Sequence, residues 1–289
     1  MIEPTSEYAE AVTKLTKDLK AGVATLGTDA VRFLVDAYYM EQRDRIRLSH
    51  QVRALEKGGE PSDIMDWLEG QRDTLERQIA SVLRGYTRAH PCGAWMQAIV
   101  GIGPIISAGI LAHIDITKAP TVGHIWRFAG LDPTVKWKQG QKRPWNGALK
   151  RLMFIAGECF VKVSNNEKAA YGNVYACRKQ LEVERNSRGD FAEQAARSLQ
   201  EKRYGADTVA RKHYEEGRLP PARIHLRAHR YAVKLFMSHV HCAMYFEHFG
   251  RLPPKPYVVA HMGHAHLIAP PNMHLIPGLA EAWSAQLPG

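Results

Sequence analysis

The run Val100-Gly101-Ile102-Gly103-Pro104 has the residue types to hold a ligand without any charged side chain. Its glycines reach backbone conformations closed to other residues and let the chain approach a bound group, while proline suits the first position of a helix. A helix starting at this loop turns unpaired amides and the positive end of its dipole outward, which suits a phosphate. Gly101, Ile102 and Gly103 are therefore candidate backbone-binding residues, in the manner of a helix-hairpin-helix. The competing reading is a tight turn between two core helices. Farther along, Lys136, Lys138, Lys142, Arg143, Lys150 and Arg151 fall in a stretch without an acidic residue, with Trp137 and Trp145 interleaved. Cations displace counterions from phosphates and indoles stack on bases or sugars, so these six basic residues complete a candidate nucleic-acid-binding set. Trp145 has a rival assignment, to the core of the helix that follows.

Histidines offer a second chemistry. Eight of the fourteen lie between His225 and His266, with His225 and His229 four apart on a helix and His261, His264 and His266 clustered. Such spacing can ligate zinc, and a hydrolase or nuclease built on it is the main alternative function. A metal site needs further ligands and a hydrogen-bonding second shell, and His239 falls on an apolar helix face where a core role serves equally well. No metal and no cofactor is assigned. Cys92, Cys159, Cys177 and Cys242 form no Cys-x-x-Cys pair, which indicates neither a thiolate zinc site nor a disulfide framework.

The charge balance favours a polyanionic partner: 39 Lys and Arg stand against 29 Asp and Glu in 289 residues, a formal net charge of +10. The N-terminus lacks a basic region followed by an apolar run, so no signal peptide is expected and the location is taken as cytoplasmic. Residues 91–114 carry no formal charge, yet their glycines and two prolines divide them into two short apolar pieces, which argues against a membrane span.

The elements that would position these groups read as helical throughout. Residues 5–56 show helical patterning, with Thr28 as an N-cap and Gly58-Gly59 as a stop. A second helix begins near Ser62, where Leu68, Leu75 and Val82 recur every seven residues with Ile79 and Tyr86 between them, the seam of a helical hairpin or coiled coil. Packing within its own domain and self-association into a homodimer are equally good readings of that seam. Trp145, Leu149, Leu152, Met153, Ala156, Phe160 and Val163 form a buried helical stripe, and residues 222–249 form another core helix ended by Gly250. Residues 167–217 read as solvated helices around a turn at Asn186–Gly189, and the proline-rich tail as an extended segment wrapped over the domain or left mobile. The fold class is all-α: a helical arm with possible coiled coil over 1–90, a helical domain over 91–250 and a Pro/His-rich tail over 251–289.

Three landmarks in order carry a family resemblance: Ile99-Val100-Gly101-Ile102-Gly103-Pro104, then Phe128-Ala129-Gly130-Leu131-Asp132-Pro133, then Lys142-Arg143-Pro144-Trp145-Asn146-Gly147-Ala148-Leu149-Lys150. About residues 95–165 resemble the C-terminal domain of IS110/IS116/IS902-type insertion-sequence transposases, and Arg227–Lys234 is similar to that family's closing helix. The resemblance implies DNA as partner, a structured guide RNA, a role in DNA transposition and recombination, and an arm resembling the family's linking coiled coil. In that family a resolvase-like domain supplies metal-binding carboxylates and a C-terminal serine attacks DNA. The ninety residues before the glycine motif read as helix and cannot build a resolvase-like sheet. Where the family's serine falls, this chain has Thr134-Val135-Lys136-Trp137-Lys138-Gln139-Gly140, with no recognisable base to activate Thr134. Ser107 and Ser164 read as structural. Catalytic residues stay unassigned, and the expected function is a transposase-family DNA-binding protein with incomplete catalytic machinery. A structural or regulatory coiled-coil protein is the remaining alternative.

Overall fold

The computed structural model describes residue 15, residues 22–254 and residues 268–285, and among these every regular element is helical, with no strand. The described residues fall into two compact units: one runs to Gln97 and includes Gly103–Asp115, the other joins Ala98–Ile102 to the chain from Ile116 onward.

The first unit is built on two long helices, α1 (Thr28–Gly58) and α2 (Asp63–Arg88), followed by the short α3 (Pro91–Gln97) and α4 (Pro104–His113). Gly59, at φ 78°, ends α1 in the left-handed conformation and returns the chain, so α1 and α2 run antiparallel. Thr28 is the first helical residue rather than the cap, which is Gly27. Ion pairs clasp the two helices: Arg45 Nε lies 2.6 Å from Glu76 Oε2 and Arg72 Nη1 lies 2.7 Å from Glu41 Oε2. Leu75, Ile79, Val82 and Tyr86 of the heptad seam pack with Val31 and Val35 of α1 and with Ile105, Ala108 and Ala112 of α4. The seam is thus engaged within its own unit, and a hairpin accounts for it. Arg32 Nε donates to the Ala112 carbonyl at 2.8 Å and satisfies the otherwise open end of α4.

In the second unit α5 (Val122–Phe128) leads through residues 129–146, which have no regular structure, into α6 (Gly147–Lys162) and α7 (Ala170–Ser187). Then come α8 (Ala192–Glu201), α9 (Val209–Glu215), the long α10 (Pro221–Phe249) and the short α11 (Leu279–Ser284). Along α10, Ile224, Ala228, Ala232, Phe236, Val240 and Ala243 are buried at three- and four-residue spacing. Phe160 of α6 and Tyr171 of α7 meet Phe236 at ring-centroid distances of 5.4 and 5.2 Å. At Gly157, a Cβ would lie 2.2 Å from the His229 ring, so only glycine lets α6 and α10 approach this closely.

Three sequence expectations need correction. Trp145 precedes α6 and stays half-exposed, so the stripe starts at Leu149; Asn146 caps the helix instead, its side chain accepting from the Leu149 amide at 2.9 Å. α7 is no solvated helix, because Tyr171, Tyr175 and Glu182 are buried along α10. The tail is not extended throughout: residues 268–285 pack in the second unit through Ile276, Leu279 and Trp283, as a wrapped segment would, but Leu279–Ser284 is helical; Pro256 and the residues before Gly22 other than Leu15 lie outside the described residues. No helix among the described residues is long and apolar enough to cross a membrane, since residues 91–114 split into α3 and α4.

Candidate nucleic-acid interface

The basic surface is held in place by the two landmarks that flank it. α5 ends at Phe128, and Gly130 follows at φ 65°, a left-handed conformation that reverses the chain. The Asn146 amide donates to the Phe128 carbonyl at 2.9 Å, which brings the start of α6 back beside the end of α5. Trp145 and Lys150 then lie so close over Gly130 that a Cβ there would be 3.0 Å from Trp145 Cγ and 2.8 Å from Lys150 Cδ. Glycine at 130 is needed twice, for the turn and for the space.

Cations and indoles interleave on this frame. Lys150 Nζ sits 3.8 Å from the centre of the Trp145 ring, and the Arg143 guanidinium lies 5.6 Å from that of Trp137. The two indoles meet edge to face, 6.3 Å apart and 61° between planes, and Trp137 Nε1 donates to the Gln141 carbonyl at 2.8 Å. Lys136, Lys138, Lys142, Arg143, Lys150 and Arg151 are all exposed. An open depression of about 430 Å³ lies beside them, lined by Phe128, Lys142, Arg143, Pro144, Trp145 and Asn146.

The structure adds basic residues that local sequence spacing did not connect to this set. Lys234 of α10 stacks 3.9 Å from the centre of the Trp126 ring, and the Trp126 indole N–H donates to the Lys234 carbonyl at 3.1 Å. Partial desolvation, then the neighbouring Arg230 and Arg143 cations, hold the Lys150 ammonium below its ordinary pKa. Arg230 is lowered too, by desolvation and then by Arg223 and Arg227. Lys234 is lowered by burial and by Arg230, with Asp132 pulling the other way. Desolvation leads in all three groups, and the Arg230 cation of α10 acts on Lys150 of α6 as well as on Lys234, so the two helices bring their cations near one another. The four-residue spacing of Arg230 and Lys234 was visible in the sequence; the approach of Arg230 to Lys150 was not.

The glycine loop is more constrained than its composition suggests. Gly101, at φ 96°, faces the end of α6, where a Cβ would lie 3.3 Å from Val163 Cγ2. Ile102 is buried, and its amide donates to the Ile99 carbonyl at 2.9 Å. Gly103 has open space around it and caps α4, whose N-terminus has no side-chain cap and begins with Pro104. Gly101 and Ile102 belong to the second unit with the basic segment, whereas Gly103 opens a helix of the first.

Thr134 donates both its hydroxyl and its amide to Asp132 Oδ1, at 2.7 and 2.9 Å. Those two bonds hold the Asp132 carboxyl below its ordinary pKa, which makes it a poor proton acceptor for activating the hydroxyl. Ser107 donates to the carbonyl of Gly103, the cap of α4, and Ser164, just past α6, donates to the Val161 carbonyl. The described histidines of α10 at 225, 239 and 241 are similarly engaged. His239 accepts from the Tyr171 hydroxyl at 2.7 Å through Nδ1 and donates to the Ile268 carbonyl at 2.8 Å through Nε2, and burial brings its pKa down to about 4. His241 donates to the Ala119 carbonyl, and His225 bonds the Tyr175 hydroxyl. Among the described residues no group of three or more His, Cys, Asp or Glu side chains is placed to hold a metal ion; His261, His264 and His266 lie outside them.

Comparison with known proteins supports the landmark reading at a coarse level. A 93-residue stretch is 36% identical to a protein of Streptomyces coelicolor described as the insertion element IS110 uncharacterized 43.6 kDa protein. The match supports kinship with IS110-type insertion-element proteins. It takes in 30% of this chain and 22% of the relative, so the chain spans about a fifth of the length of the relative it matches. No family model and no solved structure matches.

Proposed function

We propose that this chain is a nucleic-acid-binding protein of the IS110 transposase type, acting in DNA transposition and recombination. In this reading residues 91–250 form the transposase-like domain and the arm before it is a helical hairpin closed on its own seam. DNA lies across Lys136, Lys138, Lys142, Arg143, Lys150 and Arg151, extended by Arg230 and Lys234. The observation that carries the reading is the setting of Lys150, flanked by Arg143 and Arg230 and placed over an indole, with no carboxylate partner among the described residues. Such a site is incomplete until a polyanion supplies the missing charge. The kinship with an insertion-element protein favours DNA as that polyanion, and the family resemblance of the three landmarks adds a structured guide RNA as a further proposed partner.

The start of α4 at Gly103 supports phosphate holding in the helix-hairpin-helix manner, while Gly101 and Ile102 shape the loop that presents it. Strand chemistry is assigned to carboxylates and a nucleophile outside this surface, because the Thr134 hydroxyl is spent on Asp132. Anisotropy of a labelled duplex over a salt series tests the binding. Each phosphate contact contributes about 0.9 to the slope of log affinity against log salt, so Lys136→Glu with Lys138→Glu lowers the slope by about 2 and weakens binding. A double variant that binds as tightly as wild type at matched salt removes the assignment.

A further inference from the structure

We infer that the depression beside Trp145 seats one unpaired nucleotide of a strand, its base against Phe128, Pro144 and Trp145 and its phosphate on Lys142 and Arg143. This rests on the proposed nucleic-acid interface and specifies which part of the polymer the site takes. The depression has both surfaces a nucleotide requires. One wall is apolar and aromatic, with Phe128 still 42% exposed beside Trp145. The rim is cationic, and neither Lys142 nor Arg143 has a carboxylate partner among the described residues.

The form of the nucleic acid follows from geometry. In a duplex the base faces are stacked on one another and only base edges reach a groove, so an aromatic wall set into a depression has no face to meet. An unpaired base can leave the strand and lie against the ring while its phosphate stays on the rim. Trp137 and Trp145 stand 61° apart, too open to sandwich a base between them, so the base lies on the Phe128 side of Trp145. The wall is also preformed. Lys150 presses on the Trp145 ring, Gly130 lies beneath both, and the Asn146–Phe128 backbone bond joins the floor to the rim. Little ordering remains to be done when the nucleotide arrives.

The test compares full-length protein binding to labelled oligo-dT, oligo-U and a mixed-sequence duplex of equal length at one salt concentration. Single strands bind more tightly than the duplex, and whichever of dT or U binds better identifies the sugar the site accepts. Trp145→Ala weakens single-strand binding about tenfold with little effect on the duplex, and Trp145→Phe, which keeps an aromatic face, restores most of it. Phe128→Ala acts in the same direction, and because its carbonyl still accepts from Asn146 it serves where Trp145→Ala is misfolded by circular dichroism. Equal wild-type affinity for strands and duplex, or variants that weaken both alike, overturns the nucleotide seat and leaves the basic surface standing. No binding to any of the three at low salt overturns both.

Discussion

Gly130 is the position where fold and interface are most tightly joined, and replacing it with alanine gives a sharp expectation. An alanine held at φ 65° costs about 1 kcal/mol in backbone strain. Its Cβ would also lie 2.8 Å from Lys150 Cδ and 3.0 Å from Trp145 Cγ. Lysine can swing aside, but the indole is tied through Asn146 to the Phe128 carbonyl, so the ring moves only by disturbing the start of α6. Displacing the ammonium from the ring forfeits about 0.5–1 kcal/mol of cation–π attraction, and overpacking adds about 1 kcal/mol. The lower entropy of the unfolded alanine chain returns about 0.5 kcal/mol, which leaves a net loss of about 2 kcal/mol. Gly140 is the internal control: it is also left-handed, at φ 88°, but nothing lies within 4 Å of its Cβ position. Gly140→Ala therefore shows the strain alone, about 0.5 kcal/mol after the same return. Urea denaturation followed by circular dichroism measures both variants. If Gly130→Ala is no more destabilising than Gly140→Ala, the close approach of Trp145 and Lys150 is not what glycine serves there. The same variant should lose affinity for nucleic acid, because Trp145 and Lys150 move together.

Two further expectations concern buried ionisable groups. His239 has a folded pKa of about 4 against an ordinary 6.5, so it stays neutral in the fold where the unfolded chain takes up a proton. Its contribution is fully present above 6.5 and is lost as pH falls toward 4, amounting to about 3 kcal/mol. Denaturation midpoints at several pH values should show that slope in wild type, and a His239→Gln variant that retains it would contradict the assignment. Glu182, 1% exposed, is paired with Arg227 Nε at 2.6 Å and with Arg178, and Arg185 Nη1 lies 3.8 Å away. Burial opposes its ionisation, but Arg227 and then Arg178 outweigh that and hold its pKa below the ordinary 4.5. Its stabilisation is therefore present above 4.5 and lost as pH falls through the lower folded value. Glu182→Gln leaves Arg227 and Arg178 without their carboxylate, while Arg185 keeps Asp190 at 3.1 Å; since those arginines keep some contact with water, the expected loss at neutral pH is about 2 kcal/mol, and a loss below about 0.5 kcal/mol would refute the network's role.

Helix boundaries and faces were legible in the sequence because short-range physics sets them. Proline opens α4, left-handed glycines end α1 and α10, and three- and four-residue spacing exposes the buried stripe of α6. The basic segment was legible for the same reason, since its cations are near neighbours along the chain. Which faces meet is a long-range matter that periodicity does not encode. A heptad seam looks the same whether it packs on α1 and α4 or on a second copy. Trp145 continues the helical spacing of α6, yet the Asn146 cap starts the helix beyond it and leaves the ring at the surface. Glu182 and His239 read as solvated or ambiguous until α7 and α10 pack and bury them against their partners. The candidate interface divides the same way. Sequence alone determined that lysines, arginines and indoles would crowd residues 136–151. Only the packing of α6 on α10 brought Arg230 beside Lys150, because residues eighty positions apart become neighbours through the core they share.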